Sequence, residues 1–345
     1  MTDTPPKPSR RFGYLNAKIK QFIASRLPRS DSQTLSIHNV YVFFSSVGWL
    51  FLALLAITFI SGVNYGNNLI LGLFFYLLSI WLVAAVLTYL QVSPLAIHLQ
   101  RTNLAQNHSL IWVDIELHNV KGKASRQIEL YFEEDNDYEH LLNADDLTTY
   151  RTHRQLVLPV ITERIHARLP IIAHKRGAIT LPRLCIKSQY PLGVVRSWSY
   201  VYFASPAFAY PVPHEFDWQT THKLTKSNDE QISNQYQAGQ DDFDMLDDYV
   251  EGESLAKVSW AHVAKGAGML TKRFADPIGK QWQLNYNDMP SSHHEDKLSE
   301  LAHAVLAMHE TGIAFEMVLP NDGSGGIGSG DEFIQASLLR LAKAP

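Results

Sequence analysis

The densest run of ionisable side chains lies between Asp241 and Glu253. Seven of these thirteen residues are acidic: Asp241, Asp242, Asp244, Asp247, Asp248, Glu251 and Glu253. Bases follow at Lys257, Lys265, Lys272 and Arg273, with Trp260 among them. Converging carboxylates can act as acid and base or hold a metal ion. Consecutive ones do not converge, because neighbouring side chains on a helix or strand leave the backbone in different directions. The first expectation is therefore an acidic surface partly neutralised by lysines. A docking face for a basic partner is the second, with charge setting encounter rate and orientation. No catalytic residue, metal ligand or cofactor is assigned from this stretch.

Other chemistry is sparse. Cys185 is the only cysteine, which excludes an intramolecular disulfide and a thiolate zinc site. It sits in the alternating run LCIKS and reads as a core strand residue. GAGMLTKR, residues 266–273, lacks the spacing of a phosphate-binding loop and reads as a turn into a strand. Fifteen histidines are present, but His303 and His309 are six apart and no H-E-x-x-H occurs. Nucleic-acid binding is disfavoured by charge. Residues 1–38 carry seven bases against two acids, so the rest of the chain holds −9 of the formal −4.

The elements that must position these residues divide the chain sharply. No Asp, Glu, Lys or Arg occurs between Asp31 and Arg101. Within that gap Tyr41–Val63 and Leu69–Leu90 are each long enough to cross a bilayer core of about 30 Å. Gly62, Asn64, Gly66, Asn67 and Asn68 form the turn between them. Residues 39–92 therefore read as a transmembrane helical hairpin, behind a basic head at 1–38 with an amphipathic helical pattern suited to membrane lipid. No cleavable signal is expected. The basic head and the uncharged turn place the head, and hence both termini and the large C-terminal portion, in the cytoplasm.

From residue 93 to 213 the pattern turns to period two in about seven short runs, with no convincing ten-residue helix between them. An antiparallel β-sandwich is expected. A polar linker follows at 214–240. Residues 241–345 hold the charged stretch and then a β–α–β–α pattern: a strand at 281–286, a helix at 295–310, a strand at 313–319, a Gly-rich turn at 321–330 and a last helix at 331–344. The fold class is membrane-anchored α+β, and the last unit reads as a truncated α/β one.

Two segments carry a family resemblance. One is RGAITLPRLCIKSQYPLGVVRSW, with Arg176, Gly177, Tyr190, Pro191, Gly193 and Trp198; the other is the charged stretch. Behind two membrane spans they resemble the bacterial domain-of-unknown-function family 58. Phe243, Leu246, Tyr249, Gly252, Trp260, Ala264 and Lys272 match its signature. Two signature arginines are replaced by Lys257 and Lys265, and the signature Pro and Asp by Glu251 and Glu253. Lysine does not reproduce the planar fork with which arginine grips a carboxylate or phosphate. Members often end in a domain similar to von Willebrand factor type A, whose strand-end D-x-S-x-S holds a divalent cation. The comparable position here reads Asn285, Tyr286, Asn287, Asp288, which implies no competent metal site. The resemblance implies a non-enzymatic inner-membrane protein presenting an interaction module. Its implied partners are a MoxR-type AAA ATPase and a transglutaminase-like membrane protein, in assembly or chaperone work. The alternative from a different class is a membrane-bound metal-dependent hydrolase using the 241–253 acids.

Overall fold

A computed structural model describes residues 29–36, 38–134, 136–216, 237–248, 270–276, 282–320 and 322–345. The chain is α+β, with two long apolar helices and mostly antiparallel sheets, and divides into two compact units at residues 210 and 211.

The first unit opens with strands β1 (Ser32–Thr34) and β2 (Val40–Phe44). Helices α1 (Ser46–Asn64) and α2 (Asn68–Val92) follow, both long and apolar enough to cross a membrane. The expected first span thus loses its beginning: Tyr41–Phe44 is a strand, not helix. A charge-free run cannot by itself tell strand from helix. Ser45 decides the boundary, because its side chain accepts a hydrogen bond from the Gly48 N–H and caps α1. Asn67 caps α2 in the same way through the Leu69 N–H.

Ten further strands follow: β3 (Leu95–Thr102), β4 (Ala105–Gln106), β5 (Leu110–Asn119), β6 (Ser125–Glu133), β7 (Gln155–Ile161), β8 (Ile165–Ile172), β9 (Gly177–Ile179), β10 (Arg183–Ser188), β11 (Val195–Val201) and β12 (Ala207–Tyr210). They form sheets ordered β1-β3-β5-β8, β2-β11-β10-β6-β7 and β4-β12-β9. The first two are antiparallel throughout and enclose one core, in which Ile97, Ile115 and Leu169 of one meet Leu130, Leu184 and Ile186 of the other. The alternation seen in the sequence is the alternation of core and outer face along β5, most of β6 and β11.

Two expectations fail here. Ten strands rather than about seven lie between residues 93 and 213, because β4 was not foreseen, Leu181-Pro182 splits one run into β9 and β10, and the last run divides into β11 and β12. A ten-residue helix, α3 (Ala144–His153), also interrupts the strands. Its signals are at its ends, with Asn143 capping the Asp146 N–H, Asp145 and Asp146 in the first turn and Arg151 and His153 in the last. Its single buried residue, Tyr150, leaves no apolar stripe to detect.

The second unit contains the pair β13 (Gln237–Asp248) and β14 (Leu270–Asp276), antiparallel with register breaks after Ala238 and Phe243. The polar linker therefore ends before residue 240. A separate sheet, β15 (Trp282–Asn285), β16 (Phe315–Leu319) and β17 (Gly323–Gly328), is covered by α4 (His294–Glu310) and α5 (Asp331–Lys343). Strand β15 runs parallel to β16. The Gly-rich segment expected as a turn is instead strand β17, antiparallel to β16. Side chains at Gly325 and Gly328 would run into Arg340 and Phe333 of α5, so glycine lets the helix lie close against that edge strand.

Candidate functional site

The second sequence segment, Arg176 to Trp198, becomes the joint between helices and sheet. Its centre is the loop from Gln189 to Val194. Tyr190-Pro191 is a cis peptide. Gly193 has φ +69°, a backbone conformation that costs other residues energy, and its N–H closes the loop on the Gln189 carbonyl at 2.9 Å. The Gly193 carbonyl accepts the Ser45 hydroxyl, and the Val194 carbonyl accepts the Ser45 N–H at 3.1 Å. Gly48, one turn into α1, lies so close to Val194 that any Cβ there would strike its carbonyl oxygen. Val194 and Val195 pack with Ala84 of α2, flanked by Phe51, Trp81 and Ala85.

Helix α2 is bound to the same sheet along its last three turns. Ala84, Thr88, Gln91 and Val92 are buried and share one helical face. They meet small residues of the sheet, with Ser197 and Ser199 fully buried on β11. The Ser197 hydroxyl donates to the Thr88 carbonyl at 2.8 Å, and the Arg126 N–H donates to Gln91 Oε1 at 2.8 Å. Small side chains admit the helix backbone, Ser197 bonding a helix carbonyl and Ser199 the Asn39 carbonyl. The opposite face of the same turns stays apolar and exposed at Val83, Val86, Leu87 and Leu90.

Trp198, the last residue of the segment, lies on the outer face of the sheet. It stacks on Tyr41 with ring centroids 5.9 Å apart and carries Arg196 over its ring at 5.2 Å. Beside it Arg183 lies 4.2 Å over Tyr200 and pairs with Glu133. Burial pulls the Arg183 guanidinium down, but hydrogen bonding to Tyr202 and the charge of Glu133 outweigh it and raise it further. Cys185 pairs across the ladder with Tyr131 and Tyr200. Burial pushes its thiol up to about 11, so it is a thiol at neutral pH and a poor nucleophile. Arg176 and Gly177 sit apart from this face, Gly177 opening β9 opposite Ala209.

Of the signature residues in the charged stretch, Phe243 and Leu246 lie on β13 and Lys272 on β14. The ladder brings Leu246 opposite Lys272 and Phe243 opposite Phe274. Tyr249, Gly252, Lys257, Trp260 and Lys265 lie outside the described residues, as does the basic head up to residue 28. The acids Asp241, Asp242, Asp244, Asp247 and Asp248 occupy β13, whose ladder with β14 carries the two register breaks. Among the described residues no group of three or more His, Cys, Asp or Glu is placed to hold a metal ion.

A cavity of about 400 Å³ opens where the parallel strands β15 and β16 end. His294, Pro320, Asp322 and Arg340 line it. His294 Nδ1 bonds the Tyr286 hydroxyl at 2.8 Å while its buried Nε2 has no hydrogen-bond partner. Arg340 Nε pairs with Asp322 at 2.6 Å. The sequence puts a decayed metal position at Asn285–Asp288, at this same strand end, and reads His294 as a surface histidine beside His293 and Arg340 as a base suited to the last helix's dipole, neither as a site residue. Their signal was available only as position, a helix start and the face of the last helix.

No protein-family model and no curated protein matches this chain.

Proposed function

We propose that this chain is a non-enzymatic protein of the bacterial inner membrane that holds an interaction module against the cytoplasmic surface. The observation that carries the reading is the joint just described. Two helices of membrane-spanning length and composition are locked to a β-sheet core by Ser45, Gly48 and the Gly193-Val194 turn. A hairpin tethered by a flexible linker would leave a domain free to tumble, whereas this joint fixes its orientation to the bilayer. The partner side of the reading rests on the acidic β13 and on the resemblance to family 58. A MoxR-type AAA ATPase is the proposed partner, with a transglutaminase-like membrane protein as the further one.

Crosslinking in intact cells, followed by detergent extraction and mass spectrometry, tests this. The expected result is recovery of an AAA ATPase with the wild-type chain and its loss with a Trp260→Ala, Lys265→Ala variant. Recovery of neither an ATPase nor an envelope-assembly protein, or equal recovery with the variant, overturns the partner reading.

A further inference from the structure

Helix α2 is longer than α1, at 25 residues against 19. The short turn Tyr65–Asn67 holds the two helices level at one end, so the excess of α2 projects at the sheet end, roughly 9 Å at 1.5 Å per residue. Helix α1 alone, about 28 Å long, already matches a hydrocarbon core of about 30 Å. The last turns of α2 therefore fall in the headgroup layer, which adds roughly 5–8 Å on each side of that core.

The turn between β5 and β6 is fastened at that depth. The Val120 N–H donates to the carbonyl of Pro94, two residues past the end of α2, at 2.9 Å. The Arg126 N–H donates to Gln91 Oε1, in the last turn of α2, at 2.8 Å. Asn119 pins the base of the turn, its side chain donating to Ser125 Oγ and accepting the Lys121 N–H, both at 2.9 Å. Gly122 takes φ +66° and reverses the chain. Val120, Lys121, Lys123 and Arg126 are all exposed. Among the described residues none of the three bases has a carboxylate partner, whereas Arg183 and Lys187 pair with Glu133 and Glu129. The turn from β7 to β8 lies at the same end of the core and adds one exposed acid, Glu163, which leaves a basic excess. Exposed apolar side chains gather there too, at Phe43, Val160 and Leu192.

We infer that the β5–β6 turn is a contact site for an anionic lipid surface, Lys121, Lys123 and Arg126 meeting lipid phosphates while Val120 rests among the headgroups. The inference rests on the membrane reading above and adds to it the place where lipid touches the β-sheet core. Attraction to an anionic leaflet fades within a Debye length of about 8–10 Å, and the two hydrogen bonds to the end of α2 keep these bases within that distance. Lysine suits such a partner, since a flexible point charge can follow phosphates in a fluid layer. An acidic protein would have to reach the turn beside the helix ends, where headgroups already crowd.

The test is nitroxide quenching of a fluorophore on the full chain, reconstituted in phosphatidylcholine vesicles. In a Cys185→Ser background the fluorophore is attached at Val120→Cys, with Leu73→Cys and Ala204→Cys as controls. Leu73 is exposed on α2, and Ala204 is exposed at the far end of the core, past β11. The quencher is a trace lipid with a nitroxide high on one acyl chain, supplied as phosphatidylglycerol or as phosphatidylcholine. Position 73 should be quenched equally by both and position 204 by neither. Position 120 should be quenched more strongly by phosphatidylglycerol. Adding Lys121→Gln and Lys123→Gln should lower that preference by about fivefold or more, since each base near an anionic surface contributes roughly that factor. Quenching at position 120 that is absent, or equal for the two lipids, overturns the site when position 73 is quenched. A preference that survives the loss of both lysines overturns it as well. An unquenched position 73 removes the membrane reading and the contact with it, so the two failures are distinguishable.

Discussion

Asp31 shows how much a single residue can organise. Its carboxylate accepts the Ala204 and Ser205 N–H groups at 2.9 and 3.0 Å and the Ser205 hydroxyl, while its own carbonyl accepts the Leu99 N–H at 2.8 Å. It thus pins the chain before β1 to the corner between β11 and β12 and to β3. Burial raises its carboxyl, but the hydrogen bonds from Ser205 and Ala204 outweigh that and hold it below its ordinary 3.8. A depressed carboxyl contributes stability that is present above the unfolded value and is lost as pH falls through the folded one. Thermal unfolding should therefore show a component that is flat above about pH 4 and decays below it. Asp31→Asn should be less stable at neutral pH and should lack that component. The melting temperature of both chains across the acid range checks this; parallel curves would contradict it. Nothing in the sequence marked Asp31 for this role, because its partners are about 170 positions away. It was legible only as a charge flanking an uncharged run.

At the scale of elements, the joint between α1 and the sheet turns on close approach. A Cβ at Gly48 would overlap the Val194 carbonyl oxygen, whereas Gly72 on α2 has open space around it. Gly48→Val should therefore force the helix off the loop and cost about 1–3 kcal/mol, the usual range for overpacking. Gly72→Ala should leave stability unchanged or raise it. Unfolding of the two variants in the same detergent measures the difference, and equal effects would show that the helix can shift at no cost. This pair also explains what the sequence could and could not disclose. The helices were legible from length and lack of charge, and β5 and β11 from alternation. The strand β2 was hidden inside the charge-free run, α3 lacked an apolar stripe, and β17 was disguised by glycines whose meaning is the nearness of α5. The segment around Tyr190-Pro191 and Gly193 was recognisable as residues, but its task was not. That task depends on Ser45 and Gly48, about 145 positions earlier, and only a folded chain brings them together.

For the whole molecule, the rigid joint converts topology into a claim about where every part of the first unit lies. If α1 and α2 cross the inner membrane, the turn at Tyr65–Asn67 is on one side and the β-sheet core on the other, because β2 enters α1 and α2 returns into β3 without an intervening loop. The basic head argues that the core side is the cytoplasm. The single native thiol makes the test clean. Cys185 is buried, so a Cys185→Ser background with Asn64→Cys or Lys121→Cys offers one accessible thiol at a time. A membrane-impermeant maleimide applied to intact cells with a permeable outer membrane should label the Asn64→Cys chain at once. It should label the Lys121→Cys chain only after the inner membrane is opened. The reverse order would invert the topology and remove a cytoplasmic ATPase from the possible partners. Labelling of both thiols in intact cells would mean that the helices do not span. The exposed apolar face of α2 from Val83 to Leu90 would then need a protein cover rather than lipid, since patches of that kind are rarely left bare in water.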